Sequence, residues 1–203
     1  MNPLDRTRLP PASNPFSTRC IRPQAVAFLF PDGFDAGWMV DRLRRAGWRG
    51  QIVGPHGSGK TTLLHALAPA IERAGRRVVW HTFHAHQRCL PVLGRSARTW
   101  DRQAQVVIDG FEQIGWAVRW WLKHRCRIAG AGLVVTAHRD VGLPELWTTG
   151  TSESLLQTLV ERLVPENERW RITDADIARA YREHEGNLRE ALLALYDVFE
   201  GRR

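Results

Sequence analysis

The chain has 203 residues and a net charge of +8, with 43% hydrophobic and 25% charged residues. That length and balance are typical of one soluble domain, with or without a small appendage. No apolar run approaches the roughly 20 residues that span a membrane, and three separated cysteines fit neither a disulfide framework nor a zinc site. We therefore expect a cytoplasmic protein without a membrane segment.

The positive charge comes almost entirely from arginine, because only Lys60 and Lys123 among the 29 basic residues are lysines. A basic balance permits a polyanionic partner such as nucleic acid. The arginine bias, with the many Ala, Gly and Trp residues, is more typical of compositional drift than of a nucleic-acid-binding surface. Nucleic acid therefore stays open as a partner.

The first predicted elements lead to a glycine-rich loop. Residues 1–24 are rich in Pro, Ser, Asn and Arg without periodicity, which predicts a flexible N-terminal arm. The apolar run at 25–30 has the length of a buried strand or of a short core segment. The next elements are expected at 36–47 (helix), 50–54 (strand) and 59–74 (helix, kinked or restarted at Pro69).

The rest of the chain alternates strands with helices and ends on two consecutive helices. Such alternation predicts an α/β fold, in which helices cover both faces of a mostly parallel five-stranded sheet. We interpret residues 173–203 as a small helical C-terminal lid. The strands are expected at 76–83, 103–110, 132–138 and 169–172, and the helices at 112–130, 151–164, 173–186 and 187–201.

The stretch QIVGPHGSGKTTLL at 51–64 contains the pattern Gly-x-x-x-x-Gly-Lys-Thr between a predicted strand and a predicted helix. Its glycines let the backbone approach a phosphate, and successive N–H groups at a helix start form an anion nest. Lys60 is expected to reach the β- and γ-phosphates, and the Thr61 hydroxyl to ligate Mg²⁺. The residues predicted to bind a nucleoside triphosphate are Gly54, Pro55, His56, Gly57, Ser58, Gly59, Lys60, Thr61 and Thr62.

A second motif lies at the end of the strand predicted at 103–110. Apolar residues followed by Asp109 match a Walker B strand, whose carboxylate holds the Mg²⁺ shell. A strand-terminating aspartate in a turn would look the same. Because one predicted strand separates it from the glycine-rich loop, we interpret Asp109 as the metal-site partner of Thr61.

With these motifs the chain resembles the P-loop NTPases, within them the branch with an extra strand between Walker A and Walker B. AAA+ ATPases and ABC ATPases belong to that branch. The resemblance covers about residues 48–200 and implies a three-layer P-loop NTPase, with a nucleotide-binding domain at 25–172 and the lid at 173–203. It also implies ATP and Mg²⁺ as ligands, and ATPase action that changes the conformation of a partner.

The resemblance implies three further site residues. The family places a catalytic glutamate directly after the Walker B aspartate; this chain has Gly110 there, so Glu112 is the nearest substitute. Thr136 holds the position of a polar sensor at a strand end, and we interpret His138 as a satisfied loop histidine. Arg189, in the stretch EGNLRE, matches the sensor 2 arginine of AAA+ lids. Glu112 and Arg189 also suit ordinary helix-start and surface roles.

Some family features are missing from the sequence. No LSGGQ-like signature lies between the Walker motifs, which argues against an ABC transporter ATPase, and the Asn-Lys-x-Asp pattern of GTPases is absent. Arg139, Arg162 and Arg169 are equally placed as arginine fingers. The His-rich stretch at 81–95 is expected to be a surface loop. The nine tryptophans, including Trp116, Trp120 and Trp121, are expected to pack in the core first and to form a partner surface second.

Four functions remain open on the sequence. The first is an AAA+-like ATPase that acts on a protein partner or as a homo-oligomer. The second is a small-molecule kinase, with the region 137–149 as its lid loop. A nucleic-acid-associated ATPase would explain the basic charge, and a non-hydrolysing nucleotide switch would explain Gly110.

Overall fold

The structure, a computed structural model, describes residues 14–84 and 89–202. The described residues divide into two compact units. The sheet unit comprises Phe28–Gly54 and Lys60–Thr149, and the helical unit comprises 14–27, Pro55–Gly59 and 150–202. Within the described ranges, no helix has both the length and the apolar character needed to cross a bilayer.

The sheet unit is built on five strands whose pairings are all parallel, in the order β2-β3-β4-β1-β5. The carboxyl ends of parallel strands meet at one edge, where α/β proteins bind their ligands. The strands are β1 (Arg49–Val53), β2 (Arg77–Thr82), β3 (Ala104–Asp109), β4 (Gly132–Ala137) and β5 (Glu145–Thr148). The helices are α1 (Ala36–Arg45), α2 (Lys60–Arg73), α3 (Cys89–Ser96) and α4 (Trp116–Ala129).

Helices cover both faces of this sheet, as the alternation of elements predicts. Val107 and Val134 belong to a buried cluster with residues of α1 and α2. Their strand neighbours Val106 and Val135 belong to a second buried cluster, with residues of α3 and α4. Successive residues of β3 and β4 thus point to opposite faces, and both faces are apolar because both are covered.

Helix α2 runs without interruption from Lys60 to Arg73, although Pro69 lies inside it. Of the two predicted effects of Pro69, the restart is therefore wrong, and the kink stays a prediction. The chain leaves this helix through Gly75, whose φ of +84° is a conformation that glycine adopts without strain. This left-handed residue turns the chain toward β2.

The helical unit contains α5 (Glu153–Leu163), α6 (Asp174–Glu183) and α7 (Leu188–Gly201). Side chains cap all three helices at their N-termini, with Thr173 and Asp176 forming a reciprocal capping box on α6. Burial opposes ionisation of Asp176, but hydrogen bonds from Arg202 and Thr173 outweigh it and hold the pKa of this carboxyl well below its usual range. The capping box is therefore part of a buried ion pair.

Residues 14–24, which the sequence assigned to a flexible arm, form turns held against α7. Phe16 is fully buried and packs edge-on against Phe199, with ring centroids 5.8 Å apart. Asn14 donates hydrogen bonds to the Tyr196 carbonyl at 2.9 Å and to Glu200 at 3.1 Å. This half of the predicted arm is thus part of the helical unit; residues 1–13 lie outside the described range.

Three sequence predictions differ from the structure. The apolar run at 25–30 forms no strand, and residues 169–172, predicted as the fifth strand, lie mostly in a 3₁₀ turn at Glu166–Arg171. The fifth strand is instead β5, inside the region proposed as a kinase lid loop. That segment is held in the sheet by β1, so the kinase interpretation loses its lid.

The predicted loop at 81–95 contains an element of its own. Its first residues end β2, and helix α3 begins at Cys89; residues 85–88, including His86, are outside the described range. His81 lies 3.0 Å from the Ser96 hydroxyl and is thus engaged in the fold. The compact helical unit groups residues 150–172 with the segment from 173 onward that the sequence predicts as a lid.

Candidate functional site

The glycine-rich loop joins the carboxyl end of β1 to the first residue of α2, as the motif predicts. Gly57 and Gly59 have φ values of +68° and +85°, a left-handed conformation that other residues adopt only with strain. The Ser58 hydroxyl donates to the Pro55 carbonyl at 2.8 Å and closes the turn. Pro55 and His56 are exposed at the tip of the loop, and Thr62 continues α2 behind Thr61. Left-handed residues of this kind occur in anion nests, in which successive backbone N–H groups bind one anion.

Lys60 turns back over this loop. Its Nζ donates to the Gly54 carbonyl at 2.7 Å and lies 3.3 Å from Nδ1 of His138. Burial lowers the pKa of Lys60, and the negative charges of Glu112 and Asp109 oppose that effect. The ammonium group is thus held at the carboxyl edge of the sheet, near two carboxylates.

Asp109 joins the two hydroxyl groups that the sequence placed at this site. Thr61 Oγ1 donates to both carboxylate oxygens, at 3.1 and 3.0 Å, and Thr136 Oγ1 donates to Oδ1 at 2.7 Å. Thr136 is buried and in turn accepts the Gly110 N–H at 2.9 Å. Thr136 therefore touches Asp109, and its position fits the orientation of that carboxylate.

Gly110 directly follows Asp109, and the backbone explains why this position holds a glycine. Its φ is +84°, and a Cβ atom there would lie 2.4 Å from the Phe83 carbonyl oxygen. That distance is far inside van der Waals contact, so this turn admits no side chain. The following 3₁₀ turn, Phe111–Gln113, carries the nearest carboxylate, Glu112.

Glu112 is brought to the site and is held there by a residue that sequence reasoning interpreted as a loop histidine. Its Oε1 lies 2.9 Å from Nε2 of His138, while its Oε2 is buried and has no hydrogen-bond partner among the described residues. We assign a proton of the imidazole to Nε2, because an ionised Glu112 can only accept. Nδ1 lies 3.3 Å from the Lys60 ammonium and 3.1 Å from the Gly54 carbonyl oxygen. The resulting chain runs from Lys60 through His138 to Glu112.

The position of His138 was a usable signal in the sequence. It directly follows β4, so it lies at the same sheet edge as Gly54 and Asp109. The turn behind it is fixed by Gln51, which is buried in β1, donates to Asp140 at 2.8 Å and accepts from Val141 at 2.9 Å. The hydrogen bonds of this turn therefore fix the position of His138 at the candidate site.

Helix α4 fixes the turn that carries Glu112. Arg119 donates to the Glu112 carbonyl at 2.8 Å and to the Ile114 carbonyl, and its guanidinium lies 5.5 Å from the centroid of the Phe111 ring. Phe111 is fully buried beneath it. Hydrogen bonds from α4 thus hold the backbone turn that carries Glu112, the catalytic candidate.

The remaining candidate, Arg189, belongs to the helical unit and is exposed on the first turn of α7. Within the same unit, the Asn187 cap lies against the glycine-rich loop: a Cβ atom on Gly57 would lie 1.8 Å from Asn187 Oδ1. Two features therefore require a glycine at position 57: its positive φ and the close approach of the Asn187 side chain. The start of α7 and the tip of the loop are in contact.

Comparisons with known proteins include a local similarity in sequence and a distant one in structure, and no protein-family model matches the chain. The cytochrome c biogenesis ATP-binding export protein CcmA of Paraburkholderia xenovorans (strain LB400) is 50% identical over 42 residues, which cover 21% of this chain and 18% of that protein. The structure of C. elegans PCH-2 aligns with a TM-score of 0.43 at 16% identity, over 82% of this chain and 67% of that chain. The curated match thus spans less than a fifth of its relative.

Proposed function

We propose that this chain is a P-loop ATPase that hydrolyses Mg-ATP, with Glu112 as the carboxylate that activates the attacking water. The buried Oε2 of Glu112, without a partner among the described residues, carries this proposal. Its sister oxygen is already held by His138. A buried acceptor without a donor needs an explanation, and a water molecule or substrate group supplies one.

The glycine-rich loop and the residues next to it would bind the substrate. The N–H groups of the loop and the ammonium of Lys60 would hold the phosphates, with Lys60 exchanging its contact with His138 for a γ-phosphate oxygen. Thr61 and Asp109 offer adjacent oxygen ligands of the kind that Mg²⁺ takes from proteins. Bound with ATP, the ion would neutralise charge on the β- and γ-phosphates.

The hydrolytic step then needs one base. A water oxygen attacks the γ-phosphorus, and the bond from that phosphorus to the bridging oxygen breaks, so that ADP leaves with the bonding electrons. Glu112 Oε2 accepts the proton that the water loses. His138, donating to Oε1, keeps the carboxylate in place through this step. We assign Thr136 to the orientation of Asp109.

One observation supports the AAA+-like branch, and another supports the nucleotide. Strand β4 lies between the loop strand β1 and the Asp109 strand β3, which is the strand order that the branch implies. The local similarity to an ATP-binding export protein supports ATP as the nucleotide. By the same resemblance, we propose that Arg189 senses the bound nucleotide. We also propose that hydrolysis changes the conformation of a partner, as it does in this branch.

A non-hydrolysing nucleotide switch is the second candidate, supported by Gly110. The carboxylate at the site comes three residues after Asp109 in the chain rather than directly after it, and His138 already binds one of its oxygens. In that case ATP would bind and stay intact. The two candidates differ in turnover alone.

The test measures ATP binding and the products of ATP for wild type and Lys60→Ala. We expect wild type to release phosphate into water, and Lys60→Ala to lose binding and release together. Tight binding without phosphate release would establish the switch instead. Transfer of the γ-phosphoryl group to a metabolite would contradict both and point to a kinase.

A further inference from the structure

The outer face of α4 carries large apolar side chains that the fold leaves in solvent. Trp116 is 83% exposed, Trp120 66% and Ile128 68%. His124 and Arg127 are exposed on the same face. We call these five residues the α4 stripe. They recur at helical spacing and cover about 18 Å, because each residue advances the helix by about 1.5 Å.

The fold does not need the stripe for its own stability. Helix α4 is anchored from its other side, where Leu122 and Cys126 are fully buried and Trp121 packs against the core of the sheet unit. Indole side chains bury about 150–250 Å² each when they are covered. An apolar patch on this scale, about 300–600 Å² with polar borders, commonly marks an interaction surface.

The charged residues of α4 itself have one sign. All of them are basic, and no acidic residue occurs between Glu112 and Asp140. Exposed Arg102 extends the basic border, because its side chain lies against Gly130 at the end of α4. Two stripes facing each other would bring like charges together, which argues against self-pairing through this face.

We propose that the α4 stripe docks an acidic amphipathic helix of a protein partner. An apolar stripe about three helical turns long fits the apolar ridge of a second helix, and glutamate or aspartate along that ridge's borders would face Arg127 and Arg102. Tryptophan and arginine are also the residues enriched where interfaces bind most strongly.

A single-stranded nucleic acid fits the stripe less well. Bases bind such surfaces by stacking on free aromatic faces. The ring of Trp120 is already stacked on His124, with centroids 5.3 Å apart and planes 7° from parallel. Ile128 offers no aromatic face. Of the three most exposed side chains of the α4 stripe, Trp120 and Ile128 are thus poor stacking partners for bases.

The same helix reaches the candidate active site. Arg119 projects from α4 to the carbonyl of Glu112, and Lys123 donates to the carbonyl of Val141 in the turn behind His138. A partner that shifts α4 would therefore shift both segments. This coupling rests on the proposed ATPase function, whereas docking on the stripe does not.

The test uses a labelled synthetic peptide of about five helical turns, with leucines along one face and glutamates on its borders. Fluorescence anisotropy measures its binding to the full chain. We expect the double variant Trp116→Ala/Trp120→Ala to bind at least about tenfold more weakly than wild type, as for residues that dominate an interface. Trp170→Ala, which removes another exposed tryptophan, should bind like wild type.

Two comparison probes make the result decisive. A peptide with lysines in place of the glutamates should bind more weakly, and added salt should weaken the glutamate peptide. Equal binding of both peptides, or undiminished binding to the double variant, would overturn the proposal. So would a labelled dT oligonucleotide that binds through Trp116 and Trp120 in place of the acidic peptide.

Phosphate release in the presence of saturating peptide tests the coupling separately. We expect the rate to change in wild type and to stay unchanged in the double variant. Peptide binding with an unchanged rate would leave docking in place and remove the coupling. A wild type without any turnover would contradict the proposed ATPase, while anisotropy still decides the docking.

Discussion

Gly110 shapes the candidate site through its backbone. Its left-handed φ and its approach to the Phe83 carbonyl leave no room for a side chain, and the turn that follows carries the carboxylate of Glu112. Geometry thereby explains why no glutamate directly follows Asp109. Lys60, Asp109 and Thr61 keep the contacts that their motif positions predict.

Substitution of Gly110 by alanine should destabilise the fold more than the same change at Gly75. Both glycines have a φ of +84°, but a Cβ atom on Gly75 meets nothing within 4 Å. We expect a loss of about 1 kcal/mol for Gly75→Ala and of about 2–3 kcal/mol for Gly110→Ala, measured by urea unfolding. Equal losses would show that the contact with Phe83 is unimportant.

His138 should act on turnover and leave nucleotide affinity nearly intact, because it holds Glu112 and does not build the phosphate loop. We expect His138→Ala to lower kcat by about tenfold or more, with the Kd for ATP changed by less than about threefold. His138→Gln, which can still donate to Glu112, should recover part of the rate. A parallel loss of affinity and rate would mean that His138 binds the nucleotide.

Helix α4 is the element that connects the candidate catalytic turn to the protein surface. Its inner face is buried in the core, Arg119 and Lys123 hold the turns of Glu112 and His138, and its outer face carries the α4 stripe. The helix therefore positions two turns of the candidate site without contributing a residue to the glycine-rich loop.

Two arginines of α4 allow this role to be tested within one helix. Arg119 donates to the Glu112 carbonyl, whereas Arg125 donates to the Ala97 carbonyl, away from the site. We expect Arg119→Ala to lower kcat by about tenfold, and Arg125→Ala to lower stability by about 1 kcal/mol with kcat unchanged. Similar rates for the two variants would contradict the positioning role.

At the scale of the whole molecule, the N-terminal segment is part of the fold from residue 14. We expect Phe16→Ala to lower the free energy of unfolding by about 3–5 kcal/mol, the loss typical of a fully buried phenylalanine. Phe16→Leu, which keeps most of the buried volume, should cost less. If Phe16→Ala left the unfolding curve unchanged, the prediction of a flexible N-terminal arm would be correct instead.

The sequence predicts the parts of the fold that have strong local signals. The strands that end near Gly54 and Asp109, and helix α2 with Lys60 at its start, follow from motif and periodicity. Strand β5 has only four residues, Glu145–Thr148, and is defined by its pairing with β1 rather than by a local pattern. Residues 169–172 have strand-like composition but no neighbouring strand, and they form a 3₁₀ turn.

The residues of the candidate site likewise divide into those that local sequence signals predict and those that they do not. Lys60, Thr61 and Asp109 are predictable because the phosphate loop and the Walker B strand have fixed spacing. The contact of His138 with Glu112 joins two turns that are distant in sequence, and no local pattern predicts it. Likewise, the burial of Phe16 depends on α7, at the opposite end of the chain.

The most direct test of the account is the turnover of Glu112→Gln beside its ATP affinity. The amide keeps the size of the side chain but cannot accept a proton. We predict that kcat falls by about 10²–10⁴-fold, as for loss of a general base, while the Kd for ATP stays within about threefold of wild type. Wild-type turnover in Glu112→Gln would contradict the account, because the base would then be another group.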